Sequence, residues 1–515
     1  MNSLPSAISP GQTGALHISP SRIKTKNRGQ MQANGDEIFQ LSDTGSQIVP
    51  LYIWMADIFP LQDNTPKTHD SVIDWLRKGL DQALGDYPEL TGTLHQDNEA
   101  RRIVIKRTSI GDVPLHIVDG SNELPSFQWY HSHDYPPQQL KKESLIPPEG
   151  RLGVMAIAPD LSTSGPRVAA FQVTLINGGV VVASAISHQV VDGMGWDSFF
   201  TTWAAYSKAH AMGDPEAHGL DPEIPPHTLF TAERKPSLEE WERLRGKYPT
   251  MRHNEAPPSP PPEDFQQPVV KTRIFHFPRS KVQALKAECS RDLPAEVPFI
   301  SSFDAIAALW WRACLRAKLP VQPEISAPGA TTNNIHAVNM RPRCGKPISQ
   351  RFIGSCVALP RSRDVLASEA LGDRAVALPL LAAVVRTNTA AVTPEYCRGQ
   401  MLWAAGAPDL RFNDLDMPWF NGKTCMGFAW HNMQPYEKHD FGFGLPTGFR
   451  WPEMGFESFF FLFPSRAAAR ARMGETDLYP DEGLEVTFGM EESCFARLEK
   501  DEELLQFCEQ RGMCD

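Results

Sequence analysis

Apolar positions along the first third of the chain fall into short runs separated by turn residues. IVPLYIWMADIFPL (48–61) is rich in aromatic and β-branched residues and predicts a strand with edges at Pro50 and Pro60. In SVIDWLRKGLDQALGDYPELTGTL, Ile73, Leu76, Leu80 and Ala83 recur at helical spacing, and Gly85 and Pro88 stop the helix. ARRIVIKRTS (100–109) alternates like a strand. VAAFQVTLINGGVVVASAISH (168–188) predicts a hairpin, because Asn177-Gly178-Gly179 between two β-rich runs supplies the positive φ angles of a tight turn. MGWDSFFTTWAAYSKAH then reads as a helix with Phe199, Trp203 and Tyr206 on one side.

The pattern breaks between residues 209 and 268, where LDPEIPPHTLF and APPSPPPED form a proline-rich, semi-rigid crossing interrupted by a short amphipathic helix, SLEEWERLRGKY. It restarts with strand-like VVKTRIFHF (269–277). The helix ISSFDAIAALWWRACLRAKL (300–319) follows, with Ser301 or Ser302 as its cap and Asp304 in its first turn. A helical region (364–388), strands ESFFFLFP (457–464) and GLEVTFGM (483–490) and a charged helix complete the half. Mixed strands and helices throughout predict an α/β or α+β protein. The expected division is a mobile extension (1–36), a first domain (37–208), the crossing (209–268) and a second domain (269–515).

The chain has 515 residues, 41% hydrophobic and 22% charged, with 45 prolines. That length predicts at least two cores. No apolar run approaches the ~18 residues of a membrane span, and the first residues lack a basic segment followed by an apolar one. A net charge of −11 disfavours a general nucleic-acid partner. The nine cysteines all lie from Cys289 onward, odd in number and without a CxxC pair. They predict reduced thiols in a cytoplasmic protein and no metal site.

SHQVVDGMGW (187–196) carries the first candidate chemistry. His188 ends an apolar strand, Asp192 follows four residues on, and Gly193 and Gly195 allow close backbone approach. Imidazole at a strand exit can take a proton from a bound hydroxyl or amine. H-x-x-x-D-G arises by chance in roughly one chain of this length in twenty, so structural and catalytic readings stand level on the motif alone. In HDFGFGLP (439–446) the phenylalanines read as core anchors and Asp440 as a loop brace. HAVNMRPRCGK (336–346) places Arg341, Arg343 and Lys346 in a basic spot that could bind phosphate, pair with a buried carboxylate or be solvated. No G-x-S-x-G elbow, phosphate-cradling loop or dinucleotide fingerprint is present.

SHQVVDG and DFGFG, in that order and well separated, resemble the BAHD acyltransferase family, of the kind fungi use on secondary metabolites. LRKGLDQALGDYPELTGTL, INGGVVVASAISHQVVDG, SSFDAIAALWWRACLRAKL, HAVNMRPR and GLEVTFGMEESCFARL look like further family blocks, so the resemblance covers most of residues 40–510. It implies two chloramphenicol-acetyltransferase-like domains, each a mixed sheet flanked by helices, with a channel between them. It implies an acyl-CoA co-substrate and no permanently bound cofactor. His188 would be the general base that lets an acceptor hydroxyl or amine attack the thioester, acetyl first among the acyl groups. It implies that Asp192 pairs with Arg341 instead of touching substrate, and that Gly193, Asp440, Gly442 and Gly444 brace the motifs. A monomer and a small-molecule acceptor follow, without nucleic acid or membrane. CoA phosphates call for a basic patch, and the helix start at Ser301 and Ser302 is a weak candidate for one of them.

This chain departs from the family pattern at Phe443, where tryptophan is common, at Gly354-Ser355, where Gly-Asn is frequent, and at Ala429 before Trp430, where serine or threonine is usual. The alternatives are a condensation-type enzyme fed by a carrier-protein thioester, against which Ser187 stands where a second histidine is usual, and a non-catalytic binder of the same fold.

Overall fold

Strand pairing turns these apolar runs into two large mixed sheets. The computed structural model describes residues 13–18, 29–61, 65–109, 111–151, 160–214, 216–255, 269–417, 422–452, 457, 459–466 and 481–512. Among the described residues the first sheet has six strands, in the order Thr13–Ile18, Val113–Asp119, Ala169–Ile176, Gly179–Ser187, Tyr52–Pro60 and Gly448–Arg450. Val113–Asp119 and Ala169–Ile176 run parallel and the other neighbours antiparallel. The predicted hairpin is present, with Ile176 opposite Gly179. Of its turn residues, Gly178 alone carries a positive φ, +77°.

Both central strands of this hairpin are buried at every position, so they carry apolar residues on both faces. Helices Pro66–Asp86 and Gly193–Ala211 pack together beside the sheet. On Phe171 of the sheet, Phe199 of the second helix stacks and Trp203 packs edge-on.

The second sheet has eight strands among the described residues. Val357–Ala358, Thr331–Asn339, Thr424–Ala429, Phe459–Phe463, Leu484–Glu491, Val270–Phe277 and Glu509–Arg511 lie in that order, and Val365–Leu366 pairs with Thr331–Asn339 off the main path. Its three middle strands from Thr331 to Phe463 are parallel. Helix Ser302–Lys318 covers it, with Trp310 fully buried against Phe275, Phe460 and Phe488. No single described helix is long and apolar enough to cross a membrane.

Three expectations about organisation need correction. Residues 13–18 and 30–31 fall within the expected mobile extension, yet both are paired strands. The crossing is more ordered than its prolines suggest. The expected short helix is present as Leu238–Arg245 and buries Trp241, whose indole donates to the Trp403 carbonyl at 2.8 Å; the unexpected element is Met251–His253, which pairs with Asn413–Leu415. The proline run APPSPPPED lies outside the described residues. Finally, residues 269–515 are not one domain, because Gly448–Arg450 leaves the second half and joins the first sheet beside Tyr52–Pro60. The DFGFG turn precedes this strand and so packs into the first core.

Buried ion pairs fix that exchange. Arg450, 2% exposed, donates to Glu485 of the second sheet at 2.7 Å, and Arg511 reaches the same carboxylate at 3.0 Å. Burial alone would raise the Glu485 pKa, but Arg450, Arg466 and Arg511 outweigh it and hold the group near about 2. A second pair, Asp86 with Arg351, joins the end of the first helix to the second half, and the Tyr206 hydroxyl donates to Asp86 at 2.7 Å.

Replacing Arg450 with alanine removes one of the guanidiniums around Glu485 and leaves Arg511 in place, so it is expected to cost about 1.5–3 kcal/mol of unfolding free energy in denaturant titration, the scale of a lost hydrogen bond to a charged group. A carboxyl whose folded pKa is depressed stabilises the fold above its ordinary value, and that contribution is lost as pH falls through about 2. Glu485→Gln is therefore expected to weaken the dependence of stability on pH below the ordinary glutamate range, read as Tm against pH.

Candidate active site

His188 follows the last residue of the hairpin's second strand, where the chain turns toward helix Gly193–Ala211. Its backbone amide donates to the Leu51 carbonyl at 2.8 Å, and the amides of Val190 and Val191 both reach the Ser187 carbonyl at 3.0 Å. These bonds fix the turn at the edge of a cavity of about 110 Å³. Ile48, Val49, Leu51 and Ile53 line it from the first half, and Phe428, Trp430, Trp451 and Phe461 from the second. Among the described lining residues His188 is the only titratable side chain. Of its ring nitrogens, Nδ1 is buried. Burial lowers the His188 pKa; its own backbone, the Asp192 charge and the Val191 backbone offset this in part.

Asp192 does not reach into the cavity. It is 1% exposed and caps helix Gly193–Ala211 through the Gly195 amide at 2.8 Å. Its two oxygens accept both terminal nitrogens of Arg341 at 2.9 Å, and the Cys356 amide donates to Oδ2 at 2.9 Å. Burial would raise its pKa, but Arg341 and these amides outweigh that and hold it below the usual carboxylate range. Arg341 also donates to the Gly354 carbonyl at 2.9 Å and lies over the Phe352 ring. Val191 forms a bridge with Gly354, so the motif loop is stitched to the second half by backbone and charge together.

The glycines explain how closely the parts meet. A Cβ on Gly195 would lie 1.9 Å from the Ile353 carbonyl oxygen, and one on Gly193 would lie 2.7 Å from Trp430 Nε1. Gly193 itself lines the cavity. The DFGFG turn sits at the other end of the same helix. Asp440 accepts from the Gly442 and Gly444 amides at 2.9 and 3.1 Å and pairs with Lys208 at 2.8 Å. Gly442 has φ +103° and would place a Cβ 2.4 Å from that of Ala211. Phe441 and Phe443 both meet Phe59 edge-on. The turn thus holds the helix that Asp192 begins.

Ser301 and Ser302 are not brought to this cavity. Ser301 forms a capping box with Asp304, and its hydroxyl also accepts from Arg386 at 2.8 Å, so its capacity is committed to the helix start. Arg343 donates to the Val392 carbonyl at 3.1 Å, and Lys346 is exposed. No cluster of metal-ligand side chains occurs among the described residues.

Sequence reasoning missed His439. Its ring is fully buried between Asp57 of the strand and Asp197 of the motif helix. The signal available was Asp57 itself, a lone charge inside the apolar run YIWMADIFP.

The transferase family model matches residues 30–476. The O-acetyltransferase ptmV of Penicillium ochrochloron is 23% identical over 491 residues, covering 84% of this chain and 90% of that protein. The eremophilane O-acetyltransferase ORF8 of Penicillium roqueforti is 25% identical over 476 residues, covering 86% and 92%. The crystal structure of F. graminearum TRI101 complexed with coenzyme A and T-2 mycotoxin superposes with a TM-score of 0.71 at 16% identity, covering 92% of this chain and 99% of that one.

Truncating either member of the Asp192–Arg341 pair leaves a buried charge alone. Asp192→Ala and Arg341→Ala are each expected to lose about 3–5 kcal/mol and most soluble expression. The double variant should lose less than the sum. Thermal unfolding of purified protein with soluble yield checks this; a soluble, heat-resistant Asp192→Ala with normal turnover would contradict the bracing role.

Proposed function

Since the chain belongs to the transferase family, the group of BAHD-type acyltransferases, we propose that it moves an acyl group, acetyl first, from a CoA thioester to a hydroxyl of a small apolar metabolite. The observation that carries this is His188, the one titratable side chain among the described residues lining an apolar cavity built from both halves of the chain. Its burial keeps the imidazole neutral at physiological pH, as a general base requires.

Nε2 takes the hydroxyl proton as the acceptor oxygen attacks the thioester carbonyl. The tetrahedral oxyanion collapses with cleavage of the C–S bond, and the departing thiolate takes up the proton held on the imidazolium. The ester leaves, CoA thiol is released and His188 returns to its neutral form without a covalent acyl-enzyme.

The lining favours an alcohol over an amine. A protonated amine entering an apolar cavity needs a carboxylate partner, and none lines this one among the described residues. The two Penicillium relatives are O-acetyltransferases, which supports an alcohol acceptor, while putrescine hydroxycinnamoyltransferase 1 of Oryza sativa, 24% identical over 414 residues, keeps the amine as the second reading. The TRI101 complex with coenzyme A supports free acyl-CoA over a carrier-protein donor. In this reading one chain is sufficient, since it supplies both walls of the cavity, and the eight described free cysteines suit a reducing cytoplasm.

Acetyl-CoA is to be incubated with neutral polycyclic alcohols and, separately, with diamines, and thiol release and product mass followed. Release that depends on an alcohol is expected, and His188→Ala should lower it by about 10²–10⁴-fold while keeping the fold. CoA release at equal rates without any acceptor, or normal turnover by His188→Ala, would overturn the reading. Because the base works unprotonated and its pKa is lowered, kcat/KM should hold steady down through pH 6.5 and fall only below it.

A further inference from the structure

Helix Gly193–Ala211 begins at Asp192 and so decides where the His188 turn sits. Two devices hold it at its ends, the Arg341 pair and the Asp440 turn. A third lies near its start, on the side away from the cavity. His439 arrives from the second half, one residue before the DFGFG turn. Its Nδ1 lies 2.7 Å from Asp57 Oδ2 and its Nε2 lies 3.3 Å from Asp197 Oδ1. Asp57 is at the middle of strand Tyr52–Pro60, opposite Val182 of the hairpin strand that ends at Ser187, and opposite Phe449 on its other side. Asp197 is on the second turn of the motif helix and also accepts from the Gln434 amide at 3.0 Å. The rings of Trp196 and Phe200 close around the imidazole at 5.7 Å.

Both ring nitrogens face a carboxylate, and carboxylates accept hydrogen bonds without donating any when ionised. A doubly protonated ring donates to Asp57 through Nδ1 and sets its positive charge beside Asp197 across an ion pair that has no hydrogen-bond geometry. The surrounding charges agree. Burial opposes a charged ring, yet the two carboxylates raise the His439 pKa to about 9. Asp57 is pushed up by burial and drawn back by His439. No lysine or arginine pairs with Asp57 or Asp197 among the described residues. The neighbouring Asp440 on His439's own segment is paired with Lys208, and Arg450 beyond Phe449 is paired with Glu485.

We propose that His439 is a positioning residue for the transfer reaction: a buried cation that latches the motif helix, through Asp197, to the central strand, through Asp57. The strand side is continuous with the base, because Leu51, just before that strand, holds the His188 amide. The segment that delivers His439 also begins at Trp430 and Met433, which press on Gly193. Releasing the latch therefore frees the helix start, the base and the cavity wall from one another. Displacement of a catalytic group by about 1 Å can cost on the order of 10²-fold in rate. This inference rests on His188 being the base.

The sign of the pH effect follows from the raised pKa. The latch is complete below the ordinary histidine range and is lost as pH rises through about 9. Removing one carboxylate should move that loss toward neutrality.

The test measures kcat and KM from pH 6 to 10, together with the alkaline unfolding midpoint, for the wild-type protein, Asp57→Asn and His439→Gln. Asp57→Asn is expected to shift the alkaline fall in kcat by about one pH unit or more toward neutrality, with KM for acetyl-CoA little changed. Its unfolding midpoint should move in the same direction. His439→Gln, if soluble, should lose about tenfold or more in kcat and show no alkaline fall near pH 9. An Asp57→Asn profile that superposes on the wild type, or a folded His439→Gln with unchanged kcat and only a lower Tm, would overturn the proposal. If the wild type shows no transfer at all, the reading of His188 fails, while the shift in alkaline unfolding still reports on the latch.

Discussion

The pairing of Asp192 with Arg341 is the constraint on which the rest of the site depends. A carboxylate at 1% exposure carries a desolvation penalty that only a charged partner and several amides can offset. Here one carboxylate does three jobs at once. It caps the motif helix, binds a guanidinium from the other half, and accepts the amide of Cys356. Because these partners come from separate parts of the chain, the His188 turn has a defined position only when the two halves are assembled. The cavity is therefore a property of the assembled molecule, and its walls come from both halves.

The same logic recurs away from the cavity. Arg450 with Glu485, Asp86 with Arg351 and His439 with its two aspartates each join elements that are distant in sequence. Such pairs add little net stability over well-packed apolar residues, but breaking one is costly. They therefore select one arrangement of the two sheets more than they strengthen it. The apolar core supplies the bulk of the stability, and the ion pairs set its register.

What could be read from the amino acids follows the same division. Features encoded locally were legible: the hairpin around Gly178, the helix under Trp310 with a serine cap at 301 or 302, and the strand 52–60 all arise from periodicity or turn chemistry within some twenty residues. The Asp192–Arg341 contact came from resemblance to a family, since nothing in local spacing links residues 149 positions apart. The exchange of Gly448–Arg450 into the first sheet was hidden because a three-residue strand has no periodicity to detect. The Thr13–Ile18 strand was hidden by its polar surroundings. His439 was hidden because it sits beside a motif whose aspartate drew attention instead, although a carboxylate at position 57 in an otherwise apolar strand demands a buried partner.

The most direct measurement is a crystal structure of the protein with coenzyme A and an apolar alcohol bound together. The alcohol oxygen is expected within hydrogen-bonding reach of His188 Nε2, roughly 2.6–3.2 Å, with the CoA sulfur on the far side of that oxygen and Asp192 still bound to Arg341. An alcohol seated elsewhere, or an imidazole closed off from both molecules, would contradict the assignment of His188 as the base.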